Sequence, residues 1–120
     1  MTVKIVIAVI VATLFVAGCQ GRSSVGPPPS EVQEVEITMS EFKFEPATVE
    51  VSAGTVKFHF TNTGAIEHTA LIPELSKGTP MVKPGTDFDV ELDLPAGTYD
   101  IVCDVPGHKE AGMVMRLVVK

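Results

Sequence analysis

From residue 35 to the C-terminus, apolar and polar residues alternate with a period of two along much of the chain. The clearest segment reads TDFDVELDL, and its apolar face carries Phe88, Val90, Leu92 and Leu94. Alternation of this kind is typical of a β-strand that has one face in the core and the other in solvent. The pattern therefore predicts a half-buried strand whose outer face is acidic.

The same period recurs in further segments, which are separated by turn sequences such as SAG, NTG, KPG and PAG. Strands are predicted at 35–39, 48–51, 55–60, 67–72, 99–103 and 113–119. No segment keeps a helical period over three turns, although one helical turn near 73–77 is compatible with the sequence. About seven short strands in roughly 85 residues predict an all-β sandwich or barrel with antiparallel strands.

The N-terminal part of the chain follows a different pattern. Lys4 precedes the apolar run IVIAVIVATLFVAG, which is shorter than the span of about 20 apolar residues that a membrane helix needs. The run ends in VAGC, which resembles the lipobox of bacterial and archaeal lipoproteins. Residues 1–18 are therefore predicted to be a signal peptide and Cys19 the lipidated residue. Residues 19–34, rich in Gly, Ser and Pro, are predicted to be a flexible tether, and residues 35–120 the folded domain.

Charge and cysteine content narrow the classes of function. Fifteen acidic and nine basic residues give a formal net charge of −6, which argues against a nucleic-acid partner. The chain has two cysteines, and lipidation of Cys19 would deprive Cys103 of a disulfide partner. A single free thiol in an exported protein calls for a chemical role.

The segment CDVPGHKEAGM carries an unusual combination of side chains, because Cys103, His108 and Met113 follow one another at intervals of five. Cys103 closes one predicted strand and Met113 opens the next, so both are expected at the same end of the sandwich. The turn at Pro106-Gly107 can direct His108 back toward Cys103. A thiolate, an imidazole and a thioether together favour copper, and a copper site that transfers electrons needs a second imidazole.

Two histidines can supply that second imidazole. His59 lies between Phe58 and Phe60 on the predicted outer face of its strand, whereas His68 follows the turn sequence NTGAIE and opens the next strand. A ligand at the mouth of the sandwich is expected at the position of His68. The face pattern favours His68 without excluding His59.

The segments around these candidate ligands resemble those of a known family. The segments NTGAIEHTALI and YDIVCDVPGHKEAGMVMRLVV resemble the two ligand segments of the cupredoxins, the small blue (type 1) copper proteins, and FEPATVEVSAGTVKFHFTN resembles their N-terminal hairpin. The C-x4-H-x4-M spacing is similar to that of rusticyanin- and sulfocyanin-like members. The resemblance covers about residues 35–120. It implies an antiparallel Greek-key β-sandwich of about seven or eight strands that binds one type 1 copper ion, Cu(I) or Cu(II).

The same resemblance implies a role for each ligand. Cys103 would be the thiolate that carries most of the electronic coupling, and His68 and His108 would complete the trigonal plane. Met113 would be the weak axial ligand. His108, on the exposed loop, would be the path by which the electron enters and leaves.

Two positions depart from the family pattern. Thr69 stands where many members have an Asn that ties the two ligand loops together, so the family does not predict the hydrogen bonds around this site. Met115 stands where Gly is frequent, on the same face as Met113. It either fills space in the core, as Met often does, or replaces Met113 as the axial ligand.

The resemblance implies a one-electron carrier and not an enzyme. The lipobox-like sequence predicts that this carrier is anchored through Cys19 to the outer face of the cell membrane, or to a periplasm-facing membrane. It would act as a monomer and exchange electrons with redox proteins such as a cytochrome or a membrane oxidoreductase. The alternative is a copper trafficking or buffering lipoprotein that uses the same ligands without an electron-carrier role.

Two further function classes fit the sequence less well. A binding module without metal, or with zinc, leaves Met113 unexplained, because zinc rarely takes Met. Copper enzymes such as multicopper oxidases and nitrite reductases need additional His ligands for a second copper centre. Only His59 remains for that purpose.

Overall fold

The alternating segments form strands close to the predicted positions. The computed structural model describes residues 31–120, so the predicted signal peptide, Cys19 and most of the predicted tether lie outside the described residues. The strands are β1 (Gln33–Ser40), β2 (Lys43–Glu45), β3 (Thr48–Val51), β4 (Gly54–Asn62), β5 (Leu71–Ile72), β6 (Lys77–Gly78), β7 (Asp87–Leu94), β8 (Gly97–Val102) and β9 (Val114–Val119). A short 3-10 helix, Pro73–Leu75, follows β5. Strand β1 begins two residues before the predicted start of the domain.

The strands form two sheets, with the orders β2-β1-β4-β7 and β3-β9-β8-β5-β6. Most neighbours are antiparallel, but β1 is parallel to β4 and β3 is parallel to β9. The predicted all-β sandwich is confirmed. The two parallel pairs could not be predicted from the period, because side chains alternate between the faces of a strand whichever way its neighbour runs.

The core lies between the two sheets and is filled by the apolar positions that the alternation marks. In β4, Val56, Phe58 and Phe60 are buried, and the rings of Phe58 and Phe60 stack with centroids 5.9 Å apart. From the opposite sheet, Ile101 and Leu117 are buried as well. Full burial of such side chains contributes about 1.5–3 kcal/mol each. The inner faces thus hold the ends of the strands in fixed positions.

The segment predicted as a strand at 67–72 is shorter in the structure, where only Leu71–Ile72 forms β5. Before it, His68 makes an isolated bridge with Val82, with N–H···O distances of 3.1 and 2.8 Å. The amide of Ala70 donates to the hydroxyl of Thr79 at 3.0 Å instead of to a neighbouring strand. Local bonds therefore hold this segment at one end of the sandwich.

The part of the chain that the structure describes contains no helix long and apolar enough to cross a membrane.

Candidate metal centre

Four predicted ligand residues come from positions at one end of the sandwich. Cys103 follows the last residue of β8 and Met113 precedes the first residue of β9. The amide of Cys103 donates to the carbonyl of Met113 at 3.2 Å, which ties the two strand ends together. His68 lies in the bridge to Val82, and His108 lies in the loop between Cys103 and Met113.

The loop from 103 to 113 folds back so that His108 faces the strand ends. The amide of His108 donates to the carbonyl of Val105 at 3.0 Å, and the amide of Met113 donates to the carbonyl of His108 at 3.0 Å. Gly107, inside the first of these turns, has φ +85°, a conformation that glycine adopts without steric cost. The predicted turn before His108 is therefore confirmed.

Three of these side chains converge on one point. The sulfur of Cys103 lies 3.4 Å from Nδ1 of His108 and 4.0 Å from Nδ1 of His68, and the two Nδ1 atoms are 3.2 Å apart. All three residues are buried. Met113 is also fully buried. The structure thus assembles His68, Cys103 and His108 as a group whose ligand atoms face one another.

The spacing of these three atoms fits a bound ion. With bonds of about 2.0–2.3 Å to nitrogen and sulfur, three ligand atoms around one ion in a plane stand about 3.5–4 Å apart. The observed separations of 3.2, 3.4 and 4.0 Å lie close to that range, two of them slightly below it. One cysteine sulfur and two imidazoles, with a methionine at the adjoining strand end, match the donor set of a blue copper site, whereas structural zinc sites take four N, S or O ligands.

The electrostatics of the group also suit a metal. Burial lowers the pKa of His68, and the proximity of His108 lowers it further, because a protonated imidazole there would be poorly solvated and repelled. A neutral imidazole presents the lone pair that a metal needs. Nε2 of His68 is buried and has no hydrogen-bond partner among residues 31–120. Nδ1 faces the sulfur of Cys103 and Nδ1 of His108, so it is the nitrogen placed to bind.

Thr69 provides the link between the ligand loops that the sequence left open. Its amide donates to the sulfur of Cys103 at 3.4 Å. Its hydroxyl donates to a carboxylate oxygen of Asp104 at 2.6 Å and accepts from the amide of Asp104 at 3.0 Å. Sequence reasoning did not single out Asp104. The only feature of the sequence that could have indicated Asp104 is its position directly after Cys103.

Asn62 is a second residue that sequence reasoning missed. It is fully buried, and its side-chain amide donates to the carbonyls of Ile66 at 2.8 Å and Val82 at 2.9 Å. Its side-chain oxygen accepts from the amide of Gly64 at 2.9 Å. These bonds shape the loop that delivers His68. The segment NTG indicated a turn, but nothing in the sequence marked Asn62 as buried.

The two alternative ligands, His59 and Met115, differ from His68 and Met113 in their surroundings. His59 projects from the outer face of β4 and pairs with Asp89 on β7, so the structure does not bring it to the other two ligands. Met115 is buried within β9, where its backbone pairs with Ile101. Met113 is the methionine whose backbone bonds with two of the three convergent residues, Cys103 and His108.

An apolar surface surrounds the metal end where His108 approaches solvent. The ring of Phe42 meets that of His108 edge-on, with centroids 5.2 Å apart and an interplanar angle of 87°. Ile66 and Met81, both exposed, line a shallow cavity together with His108. We call Phe42, Ile66 and Met81 the apolar rim.

Comparison with known proteins adds an independent line of evidence. The family model of the cupredoxin-like domain matches residues 6–116. The copper-resistant cuproprotein CopI of Rubrivivax gelatinosus is 32% identical over 108 residues, a match that covers 72% of this chain and 66% of CopI. The chain therefore spans slightly less than two thirds of the length of that relative.

Solved structures show the same fold. Auracyanin from Roseiflexus castenholzii is 21% identical with a TM-score of 0.67, and the match covers 73% of this chain and 97% of auracyanin. Auracyanin A from Chloroflexus aurantiacus, described as a blue copper protein, is 26% identical with a TM-score of 0.65. That match covers 72% of this chain and 98% of auracyanin A.

Proposed function

The chain belongs to the cupredoxin-like family, and on that premise we propose that it is a membrane-tethered blue copper protein that carries single electrons between redox proteins. The observation that carries the proposal is the buried group of His68, Cys103 and His108, whose ligand atoms lie 3.2–4.0 Å apart at the ends of strands. When bound there, copper supplies a one-electron couple between Cu(II) and Cu(I).

Rigid support of the ligands favours a carrier. The backbone bond between Cys103 and Met113 joins neighbouring strands, and the bridge between His68 and Val82 fixes the other side of the site. A site whose ligands are held by packing and hydrogen bonds rearranges little when its charge changes. Little rearrangement is what fast electron exchange requires.

The apolar rim favours transient docking at the metal end. Residues 31–120 contain four large apolar side chains that are clearly exposed, and three of them form this rim. An apolar patch beside a nearly buried ligand, His108, lets a partner approach the metal closely while releasing water. The electron would therefore pass through His108, to and from a redox protein such as a cytochrome or a membrane oxidoreductase.

A lipid anchor at Cys19 fits the direction of β1. Gln33 begins this strand, and its side chain forms two hydrogen bonds with the backbone of Ser52. In the register of β1 with β4, Gln33 lies opposite Val56. The other end of the register pairs Met39 with Asn62, beside the metal end. Strand β1 is about 23 Å long at 3.3 Å per residue. A tether that enters at Gln33 would leave the metal end facing away from the membrane and available to partners, at a raised local concentration.

Copper trafficking or buffering is the second candidate function, and the similarity to CopI favours it. CopI is described as a copper-resistant cuproprotein. Such a role would use the same ligands but would require the ion to leave. A catalytic role has less support, because His59, the one histidine outside the ligand group, lies on the outer face.

A redox titration with simultaneous copper analysis separates the two functions. The carrier proposal expects a reversible one-electron couple, with one copper ion per chain retained after repeated reduction and oxidation. Release of copper on reduction would favour trafficking and contradict the carrier. Rapid transfer of Cu(I) from the reduced protein to a mild chelator would have the same meaning.

A further inference from the structure

The hydroxyl of Thr69 stands between two acceptors but can satisfy only one of them. Its oxygen lies 3.7 Å from the sulfur of Cys103 and 2.6 Å from a carboxylate oxygen of Asp104. A hydroxyl has a single proton to donate. The acceptor that receives this proton therefore decides how many hydrogen bonds reach the sulfur.

The geometry assigns that proton to Asp104. A hydrogen bond to an ionised carboxylate is short and strong, and 2.6 Å lies in the range for O–H···O⁻ bonds. The amide of Asp104 also donates to the hydroxyl oxygen at 3.0 Å, which fixes the orientation of the hydroxyl. The sulfur of Cys103 then keeps one close donor from Thr69, the backbone amide at 3.4 Å.

We propose that Asp104 is a positioning residue that withholds the Thr69 hydroxyl from the Cys103 sulfur. In this way it stabilises Cu(II) relative to Cu(I) and lowers the reduction potential of the copper site. The proposal rests on the proposed copper site. Hydrogen bonds to the cysteine sulfur tune the potential of blue copper sites. A donor to a thiolate withdraws charge from it, which weakens its donation to Cu(II) and favours Cu(I).

Asp104 itself is exposed, although the sulfur it influences is fully buried. Its substitution therefore removes no core packing. Release of the hydroxyl in Asp104→Ala should raise the equilibrium constant for reduction about tenfold, which corresponds to about 59 mV for a one-electron couple. Loss of the carboxylate charge acts in the same direction, so the single variant does not separate the two causes.

A double-mutant cycle with Thr69→Val separates them. Thr69→Val keeps the shape and the backbone amide but has no hydroxyl, so in that background Asp104→Ala can act only through charge. We expect the shift in potential caused by Asp104→Ala to fall to less than half in the Thr69→Val background. Equal shifts in both backgrounds would overturn the proposal. Thr69→Ser, which keeps a hydroxyl, should restore the full shift.

Two controls complete the test. Glu110→Ala removes an exposed carboxylate from the same loop. This variant should change the equilibrium constant for reduction by less than twofold. A high-resolution structure of the metal-free Asp104→Ala protein should show the Thr69 hydroxyl closer to the sulfur than 3.7 Å, and an unchanged distance would contradict the proposal. Failure of the wild-type chain to bind copper would refute the proposed function, while this metal-free structure would still report on the hydroxyl.

Discussion

Two regions of the domain place histidine in opposite environments. On the outer face of β4 and β7, His59 is 39% exposed and lies beside Asp89, with Asp87 and Glu36 nearby. At the metal end, His68 is fully buried beside His108 and the sulfur of Cys103. The hydrogen bond with Asp89 raises the pKa of His59, whereas burial lowers the pKa of His68.

The difference shows what makes a histidine a metal ligand in this fold. Carboxylates around His59 stabilise its protonated form, which has no lone pair to offer. Burial of His68 disfavours the protonated ring, so the ring keeps a lone pair, and Nδ1 is the nitrogen that faces Cys103 and His108. The residue type is the same, so burial, neighbouring charge and nearby sulfur decide which histidine binds copper.

The largest effect is expected from the two histidines themselves. His68→Gln should weaken copper binding by more than about 100-fold, because removal of a ligand should cost more than the 10- to 100-fold typical of its supporting residues. The matched variant His59→Gln should leave copper affinity unchanged. Both affinities can be measured by competition with a copper chelator. Equal losses in the two variants would show that His59 and His68 do not differ as copper ligands.

The loop before His68 should depend on Asn62. Asn62→Ala removes three side-chain hydrogen bonds and leaves the carbonyl of Val82 without one of its donors. The metal-free protein should lose about 2–4 kcal/mol of unfolding free energy, measured in urea. Thr63→Ala, which removes one 3.4 Å bond, should cost less than about 1 kcal/mol. Similar losses for the two variants would count against a structural role for Asn62.

The axial position should be sensitive at Met113 and insensitive at Met115. Both residues are buried, and Leu has nearly the volume of Met, so neither substitution should unfold the domain. Met113→Leu should retain copper and raise the reduction potential, because the axial thioether stabilises Cu(II). Met115→Leu should leave the potential within measurement error. Voltammetry on both variants checks this, and the reverse result would assign the axial role to Met115.

The smallest effect is expected on the outer face, and it should depend on pH. Because folding raises the pKa of His59, the His59–Asp89 pair contributes stability below the unfolded pKa of about 6.5, and this is lost as pH rises through the folded value. The difference in melting temperature between wild type and His59→Gln should therefore be larger at about pH 6 than at about pH 9. It should be small, since the pair is exposed. A difference independent of pH would contradict the assignment.

The sequence predicted the parts of this molecule that depend on local patterns. Alternation placed β7 and the inner face of β4 correctly, because burial on one face imposes a period of two. The spacing of Cys103, His108 and Met113 indicated a common site, because the ends of adjacent strands and one turn bring them together. The family resemblance, added to the face pattern, favoured His68 over His59, and the structure places His68 with the other ligands.

Other features depend on contacts between distant segments and were not predicted. The parallel pairing of β1 with β4 joins segments about twenty residues apart. The alternation of apolar and polar residues in either strand does not indicate whether its neighbour runs parallel or antiparallel. The bond between Thr69 and Asp104 spans 35 positions. Asn62 appeared as a turn residue because its role depends on carbonyls that only the folded loop brings to it. Packing therefore decides the surroundings of a site whose candidate ligands the sequence already indicates.

The most direct test of the copper site is a titration of the metal-free protein with Cu(II), followed by visible absorption. We expect an intense blue charge-transfer band that saturates at one copper ion per chain and is absent in Cys103→Ala. A colourless protein at saturation, or a Cys103→Ala protein that is equally blue, would contradict the assignment of His68, Cys103, His108 and Met113 as a type 1 copper site.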